Sequence, residues 1–561
     1  MLPDLSEKFT KALSKGAYIF CGVWVLVFGL YLITAKAGWV TDTVDWQYMI
    51  THVDLLSYLN LVQTHVPSLY QFTQLVTYLL YKVFGFNVWA WHLLFITMHA
   101  IHATLVFTIA RKILVASGTR NGTLIAVAAV LLFTICPHIS EVIVWKASFH
   151  YLLGGIMSAT VLYCLQIFFT TGKSGYSWIA FFVFLCSTFS IETFYLTPWL
   201  SLSLILYYRY VLGSPVAIVR KAFRRFFIVQ LLLFLLHLVV LYIVTGAHVA
   251  HIGDEINQPP VAYLKKAPGY AFHIVFLGRY FPHEFRQTVY AFFSSTAGLL
   301  LFYSSLTFLI ALAVKRFHRM RQENKPLLLF FLWAMMNLAL LGPLWFPEMQ
   351  LVAYDRYSYL MLPYVYLSLC FLLSKIPSSI FVSVIFTGYC FLNMYFTLKT
   401  NRIWQKSTTI VNSLTASFPD PKDKIVVLLN LPENFNGVPM IGSLPVSFFK
   451  LRYNVHHKQE LTNKFYDVAS YNILAPDNGA HVNVINDSTI KVTLNQWGTW
   501  WWYRFQGAHS YNNEDFKLDM RDVGHWYELT LHKPADQYLL LYSIGGTWKS
   551  VDMSRKEEEQ N

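Results

Sequence analysis

Long apolar runs are the feature that most constrains this chain. A membrane-crossing helix needs about 20 mostly apolar residues, and by that criterion the sequence holds about eleven candidate spans. They lie near residues 17–37, 88–110, 121–137, 149–170, 176–191, 194–212, 226–246, 289–314, 327–346, 357–373 and 376–398. Only 13% of the 561 residues are charged, against roughly 25% in soluble proteins. We therefore expect a mainly α-helical integral membrane protein, which excludes a soluble enzyme, a disordered chain and a nucleic-acid-binding protein.

The distribution of charge predicts how the spans are oriented. Residues 1–399 hold 27 Lys and Arg against 13 Asp and Glu, whereas residues 400–561 hold 16 against 17. Basic residues collect in cytoplasmic loops, so the clusters RKAFRR (220–225) and KRFHRMR (315–321) are predicted to face the cytoplasm. With a cytoplasmic N-terminus and an odd number of spans, residues 400–561 are predicted to lie on the extracytoplasmic side of the membrane.

Two domains are expected: a transmembrane domain over 1–399 and an extracytoplasmic β-rich domain over 400–561. The second part carries short runs such as STIKVTLN and WYELTLH, separated by Asn, Asp, Gly and Pro, a pattern typical of β-strands. Its aromatic run WGTWWWYRF (497–505) has two interpretations, because indoles stack on sugars but also rest at membrane interfaces. The interface is slightly favoured.

The first outer loop carries an unusual concentration of carboxylates. Asp42 and Asp45 are three residues apart, just beyond the first span. One carboxylate of such a pair is suited to act as a general base that deprotonates a hydroxyl, or the two are suited to form half of a divalent-cation site. The alternative is that one of them caps the following helix. We favour the functional interpretation, because a charged Asp at the end of a span has a free-energy cost, and such residues usually serve a function.

Three further polar residues lie at predicted outer span ends. His138 and Glu141, in CPHISEVIVWKASFHYLLGG, would share a helix face and form either a structural pair or a substrate contact. Glu192, in STFSIETFYLTPWL, has no basic neighbour in sequence and is either a functional carboxylate or a hydrogen-bond partner of another helix.

Basic residues in two later outer loops are candidates for binding phosphate. Arg279 and Lys265 lie in the loop 247–288, and Arg356 lies in YDRYSYLMLPY beside a span. Arginine is the preferred fork for phosphate. The alternative for Arg356 is an ion pair with Asp355 or Glu348.

Three histidines on the second span, His92, His99 and His102, lie roughly along one helical face. No carboxylate or thiolate accompanies them in sequence. Hydrogen bonding between helices is therefore the favoured interpretation over a metal site.

Several of these segments together resemble the multi-span glycosyltransferases of the GT-C superfamily. The acidic first loop, FGFNVWAWHLLFITMHAIHATLVF, CPHISEVIVWKASFHYLLGG, STFSIETFYLTPWLSLSLILYY and YDRYSYLMLPYVYLSL occur in the order seen there, over roughly residues 15–400. The chain looks most like the branch of protein O-mannosyltransferases and of transmembrane O-mannosyltransferases that end in tetratricopeptide repeats.

The resemblance implies transfer of a sugar from a polyprenyl-phosphate donor to a hydroxyl acceptor (protein, lipid or glycan) on the extracytoplasmic side. It implies that Asp42 or Asp45 is the catalytic base or the ligand of a divalent cation. It also implies that Arg356, with its neighbour Tyr357, holds the carrier phosphate, and that His138, Glu141 and Glu192 lie near the site. Membrane lipids are the other expected partner, and no nucleic acid is expected.

The chain departs from that pattern at three places. The usual adjacent acidic pair is spread to Asp42 and Asp45, the Lys that commonly precedes the Glu at 192 is Ile191, and no repeats follow residue 400. Instead the C-terminal part looks like that of bacterial membrane glycosyltransferases, which favours a bacterial inner membrane with a periplasmic C-terminal domain. A polytopic transporter or lipid flippase is the alternative function; it predicts charged residues inside the spans, whereas here the charges sit at the outer ends.

Overall fold

The computed structural model describes residues 16–65, 68–190, 192–247, 260–341, 352–441, 445–495, 501–502, 510–521 and 526–554. The chain divides into two compact units. The first unit comprises Met1–Ala35, Val53–Gln350 and Tyr354–Thr400, and the second comprises Lys36–His52, Leu351–Ala353 and Asn401–Asn561. The first outer loop thus contributes its first helix to the unit that holds the C-terminal part of the chain.

Helices dominate the described residues up to 416. In chain order they are α1 (Gly16–Tyr31), α2 (Asp42–His52), α3 (Leu55–His65), α4 (Gln71–Phe84), α5 (Val88–Ala116), α6 (Gly122–Ile135), α7 (Ser140–Val144), α8 (Phe149–Thr171), α9 (Gly175–Ser187), α10 (Thr197–Tyr210), α11 (Val216–Ala222), α12 (Val229–Thr245), α13 (Pro260–Val275), α14 (His283–Ser294), α15 (Thr296–Arg316), α16 (Pro326–Leu341), α17 (Leu362–Leu373) and α18 (Ser379–Ala416). A π-helical turn, Phe223–Ile228, joins α11 to α12.

Five helical segments of the described residues are long and apolar enough to cross a membrane, and two bent pairs raise the number to seven. The five are Gly16–Thr34, Val88–Ala116, Lys146–Thr171, Val216–Thr245 and Ser379–Ala416, and the bent pairs are Gly122–Ile135 with Pro137–Val144 and Glu284–Ser294 with Thr296–Leu312. The predicted mainly helical membrane fold is thereby confirmed. The other four segments expected to span contain shorter helices of 12 to 16 residues, α9, α10, α16 and α17.

Local sequence explains where several of these helices begin and end. The Asn87 side chain accepts hydrogen bonds from the backbone N–H groups of Trp89 and Ala90 and so caps the start of α5. Gly172 ends α8 with a left-handed φ of 68°, a conformation that glycine adopts without steric cost. α6 stops at Ile135 because Cys136, which precedes Pro137, is extended.

The second unit combines short strands with one further helix, α19 (Pro445–His457). Its strands are β1 (Ile425–Leu428), β2 (Leu431–Phe435), β3 (Val438–Pro439), β4 (Phe465–Asp467), β5 (Ser470–Ile473), β6 (Ala480–Asn486), β7 (Thr489–Leu494), β8 (Trp501–Trp502), β9 (Tyr511–Asn512), β10 (Phe516–Arg521), β11 (Trp526–Leu531), β12 (Tyr538–Ile544) and β13 (Thr547–Ser550). The predicted β-rich C-terminal part is confirmed.

These strands form three sheets with the orders β13-β12-β1-β4, β6-β7-β11-β10-β9 and β3-β2-β5-β8. Strand β1 pairs in parallel with both β12 and β4, whereas the five-stranded sheet is antiparallel throughout. In the aromatic run 497–505, only Trp501 and Trp502 belong to the described residues.

Candidate functional site

A broken helix in the first unit presents His138 and Glu141. After α6, residues Pro137–Ile139 form a 3₁₀ turn and Ser140–Val144 form α7, at 58° to α6. The extended residue Trp145 ends this segment before α8 begins. Both His138 and Glu141 are fully buried, so burial demands that each have a polar partner.

Asp355 is the centre of one buried polar cluster. Its Oδ1 lies 3.2 Å from His138 Nδ1 and 3.2 Å from His273 Nε2, and its Oδ2 accepts a hydrogen bond from Arg279 Nη1 at 2.5 Å. Burial raises the pKa of Asp355, but the charge of Arg279 lowers it further, so the pKa lies well below the usual aspartate range. Burial lowers the pKa of His273 to about 4, so its imidazole is neutral at pH 7.

The fully buried Glu141 and the half-buried Arg356 form a second ion pair. Arg356 donates to Glu141 twice, from Nη1 at 2.5 Å and from its backbone N–H at 2.7 Å. The guanidinium also lies over the rings of Trp145 and Tyr357, with centroids 5.0 and 4.6 Å from Cζ. Arg356 therefore forms an ion pair, and among the described residues the carboxylate that pairs with it is Glu141. Glu348 lies outside the described residues.

A series of contacts between aromatic side chains connects Glu192 with the Glu141–Arg356 pair. Its carboxylate accepts hydrogen bonds from the Tyr70 hydroxyl at 2.6 and 2.7 Å. The Tyr70 ring stacks on His150, which in turn contacts Tyr151. Tyr151 lies 6.2 Å, centroid to centroid, from Tyr357, whose hydroxyl accepts a hydrogen bond from Arg356 at 3.1 Å. A chain of aromatic contacts thus runs from Glu192 to the Glu141–Arg356 pair.

Lys146, which directly follows Trp145 in the sequence, is a buried basic residue. Its side chain donates to the Ile143 carbonyl at 3.3 Å and lies 4.7 Å from the centroid of Phe95. It is only 3% exposed, and no carboxylate of the described part of the chain forms an ion pair with it.

Asp42 and Asp45 lie in the second unit, in the first turn of α2. Carboxylates are stabilised there by the positive end of the helix dipole, which gives both residues a structural role as well. Asp45 is buried and Asp42 half-buried. α2 packs against α19 within this unit, and Arg452 of α19 donates to the Trp39 carbonyl at 2.9 Å.

His99 and His102 form hydrogen bonds outside their own helix, as predicted, but their partner lies in a turn and not on another helix. A ring nitrogen of each lies 3.0 Å from the hydroxyl of Tyr359, which precedes α17. His92 on the same helix is fully buried, and neither of its ring nitrogens has a hydrogen-bond partner within the described chain.

The sequence did not identify His273 or the central position of Asp355. His273 follows Phe272 and precedes Ile274 on α13, and a lone histidine in an apolar stretch is the signal that was available for it. Among the described residues, one group of His, Cys, Asp and Glu is close enough to hold a metal ion: His138, His273 and Asp355. These are not the residues, Asp42 and Asp45, for which a cation was considered from the sequence.

No protein-family model and no curated protein matches the chain. Among solved structures, it is similar to an oligosaccharyltransferase from Archaeoglobus fulgidus in a complex with Zn and sulfate, at 13% identity and a TM-score of 0.41, covering 80% of this chain and 62% of that one. It is also similar to ArnT from Cupriavidus metallidurans, at 13% identity and a TM-score of 0.38, covering 80% and 89%. The chain thus spans about three fifths of the archaeal protein.

Proposed function

We propose that this protein is a membrane glycosyltransferase of the GT-C type, which transfers a sugar from a polyprenyl-phosphate donor to a hydroxyl acceptor on the extracytoplasmic side. The observation that carries the proposal is that two neighbouring residues next to a span, Asp355 and Arg356, form separate ion pairs, in which both carboxylates are buried. Ionic groups are costly to bury, and in membrane proteins such groups mark sites of function.

The charges of this site suit an anionic ligand. The pairs Glu141–Arg356 and Asp355–Arg279 are each neutral, and each contains an arginine, whose planar guanidinium binds phosphate oxygens well. A lipid phosphate is the anion that we propose for them. Arg356 with Tyr357, and Arg279, would then stabilise the phosphate as charge builds up on it during departure.

Asp42 or Asp45 is proposed as the base that deprotonates the acceptor hydroxyl, or as a group that steadies a cation. This assignment rests on the resemblance and on the acidic first loop. Within the same proposal, 1–399 is the catalytic transmembrane domain, and 400–561 is an extracytoplasmic domain on the periplasmic side of a bacterial inner membrane.

The test is transfer or hydrolysis of sugar from a panel of polyprenyl-phosphate monosaccharides by the purified protein in nanodiscs. We expect turnover of at least one donor by the wild type and none by the double variant Asp42→Asn/Asp45→Asn at normal expression. Asp54→Asn is the matched control, because Asp54 lies in the same loop but is exposed, and its side chain accepts hydrogen bonds locally, from Ser57. This control should stay active.

Two results would contradict the proposal at different levels. Full activity of the double variant would remove Asp42 and Asp45 from the mechanism while leaving the reaction in place. Failure of the folded wild-type protein to use any donor would favour the transporter or flippase, which movement of a labelled lipid-linked sugar across proteoliposomes would then detect.

A further inference from the structure

We infer that His138, His273 and Asp355 form a binding site for a divalent transition-metal ion of the zinc type. Two imidazoles and one carboxylate are a donor set that zinc accepts in enzymes, with one coordination position left for water or substrate. All three residues are at least nine-tenths buried. The binding of the ion does not depend on the proposed function, whereas its role in catalysis rests on it.

The distances between the three donor atoms are those of a coordination sphere. Two ligands at about 2.1 Å from a tetrahedral zinc ion are about 3.4 Å apart. Here Asp355 Oδ1 lies 3.2 Å from each of the two histidine nitrogens, and all three atoms lie within 4.8 Å of one another. Side-chain movements of a few tenths of an ångström would therefore suffice to close the site on an ion.

The surroundings of His138 are those of a metal ligand. Its Nε2 lies 3.2 Å from the backbone carbonyl of His273, which only accepts hydrogen bonds, so Nε2 carries a proton and donates it. This leaves Nδ1, 3.2 Å from the Asp355 carboxylate, as the nitrogen that a metal ion would bind. Metal-bound histidines characteristically donate their other N–H to a carbonyl or carboxylate in this way.

Arg279 completes the arrangement by orienting the carboxylate. It holds Asp355 by Oδ2 and so leaves Oδ1 turned toward the histidines. Ligating carboxylates are themselves usually hydrogen-bonded by outer groups. The Asp355–Arg279 pair has no net charge, so a divalent ion held by Asp355 and the two imidazoles would give this cluster a positive charge that an anionic fourth ligand, such as a phosphate oxygen, would balance.

The experiment measures metal binding on full-length protein in detergent, stripped with EDTA and titrated with ZnCl₂ or CoCl₂. We expect one ion per chain. His273→Gln and His138→Gln should each lower the metal affinity at least about a hundredfold, because mutation of even an outer-shell partner of a metal site typically lowers affinity 10–100-fold. His99→Gln is the matched control: His99 is equally buried and bonded to Tyr359 but lies outside the cluster, and it should bind as the wild type does.

His273→Cys keeps the proposal testable if the glutamine variants fold poorly. A thiolate would replace the imidazole as ligand, so Co²⁺ binding should persist and acquire a thiolate-to-cobalt charge-transfer band. Absence of binding by the folded wild type, or equal binding in His273→Gln, would overturn the inference and indicate that hydrogen bonds and the Asp355–Arg279 ion pair alone hold this cluster together. Sugar transfer by metal-free protein would support the proposed function but exclude a catalytic role for the ion. Metal binding without sugar transfer would support the metal site but not the proposed function.

Discussion

Arg356 uses the shape of its side chain as well as its charge. One guanidinium nitrogen and the backbone N–H contact the two oxygens of Glu141, and the guanidinium plane lies over Trp145 and Tyr357. Lysine would keep the charge but not the planar fork or the stacking. We expect Arg356→Lys to lower kcat/KM for the lipid-linked donor at least about tenfold, since hydrogen bonds to charged groups contribute roughly 1.5–3 kcal/mol.

The matched control for this variant is Arg209→Lys. Arg209 is a half-buried arginine whose Nη1 bonds the Ser214 carbonyl, on the side of the membrane predicted to be cytoplasmic. It should transfer sugar at the wild-type rate, and thermal melting of both variants would show whether a lower rate in Arg356→Lys reflects unfolding. An unchanged kcat/KM in Arg356→Lys would show that the fork is not used in catalysis.

The sequence identified candidate site residues that lie within one short segment. It did not identify contacts between residues that are distant in sequence and that only the fold brings together. The motif around His138 and Glu141 indicated a polar site, because charged groups at the end of a span are costly to place in the membrane and often mark function. Nothing in the sequence paired Glu141 with Arg356, 215 positions away. Asp355 precedes Arg356, so an ion pair between these neighbours was a natural alternative, yet the backbone turn Val352–Ser358 sends the two side chains to different partners.

At the level of elements, the C-terminal unit depends on one buried carboxylate that connects two of its sheets. Asp515, just before β10, is fully buried and bonds Lys464 at 2.5 Å, Lys533 at 2.6 Å and the hydroxyl of Tyr466 on β4 at 2.5 Å. Burial raises the pKa of Asp515, but the hydrogen bonds from Lys464 and Lys533 lower it more, so the net pKa lies below the usual aspartate range.

We expect Asp515→Ala to destabilise this unit by about 2 kcal/mol, below the usual cost of breaking a buried pair because both lysines are more than a third exposed. Since the folded pKa lies below the unfolded one, the stabilisation is present above about pH 4 and is lost as the pH falls toward the folded pKa. Thermal melting and limited proteolysis of the full-length protein at pH 7 and at lower pH would measure both effects.

The control is Asp519→Ala on the same strand. Asp519 pairs with Lys517 at 2.8 Å on the surface, so its loss should change stability by less than about 0.5 kcal/mol. If the two alanine variants lose stability equally, or if Asp515→Ala keeps the wild-type dependence on pH, Asp515 does not connect the sheets energetically.

The apolar pattern predicted the helices better than it predicted their lengths. Each of the eleven expected segments contains a helix, because apolar composition in this range leaves few alternatives in lipid. The break at Pro137 and the shorter helices α9, α10, α16 and α17 follow from local backbone geometry and packing, which a count of apolar residues does not detect. The same limit applied to α2, which the sequence assigned to an outer loop and which packs on α19.

At the scale of the whole molecule, the charge asymmetry between the loops predicts which side each part faces. The clusters at 220–225 and 315–321 should be cytoplasmic, and the C-terminal unit periplasmic, since basic residues in short loops resist translocation. A cysteine introduced at Arg319 should therefore be protected from a membrane-impermeant maleimide in bacterial spheroplasts. A cysteine at Asp487, in the turn between β6 and β7, should be labelled.

Labelling after detergent lysis provides the control, because both positions should then react. The six native cysteines are the background to remove first, and Cys21 is the one that is exposed. Protection at 487 together with labelling at 319 would reverse the orientation and place the buried Asp355–Arg356 site on the cytoplasmic side, where a polyprenyl-linked donor would have to be used before its translocation rather than after it. The labelling pattern thus decides on which face of the membrane the donor must be presented.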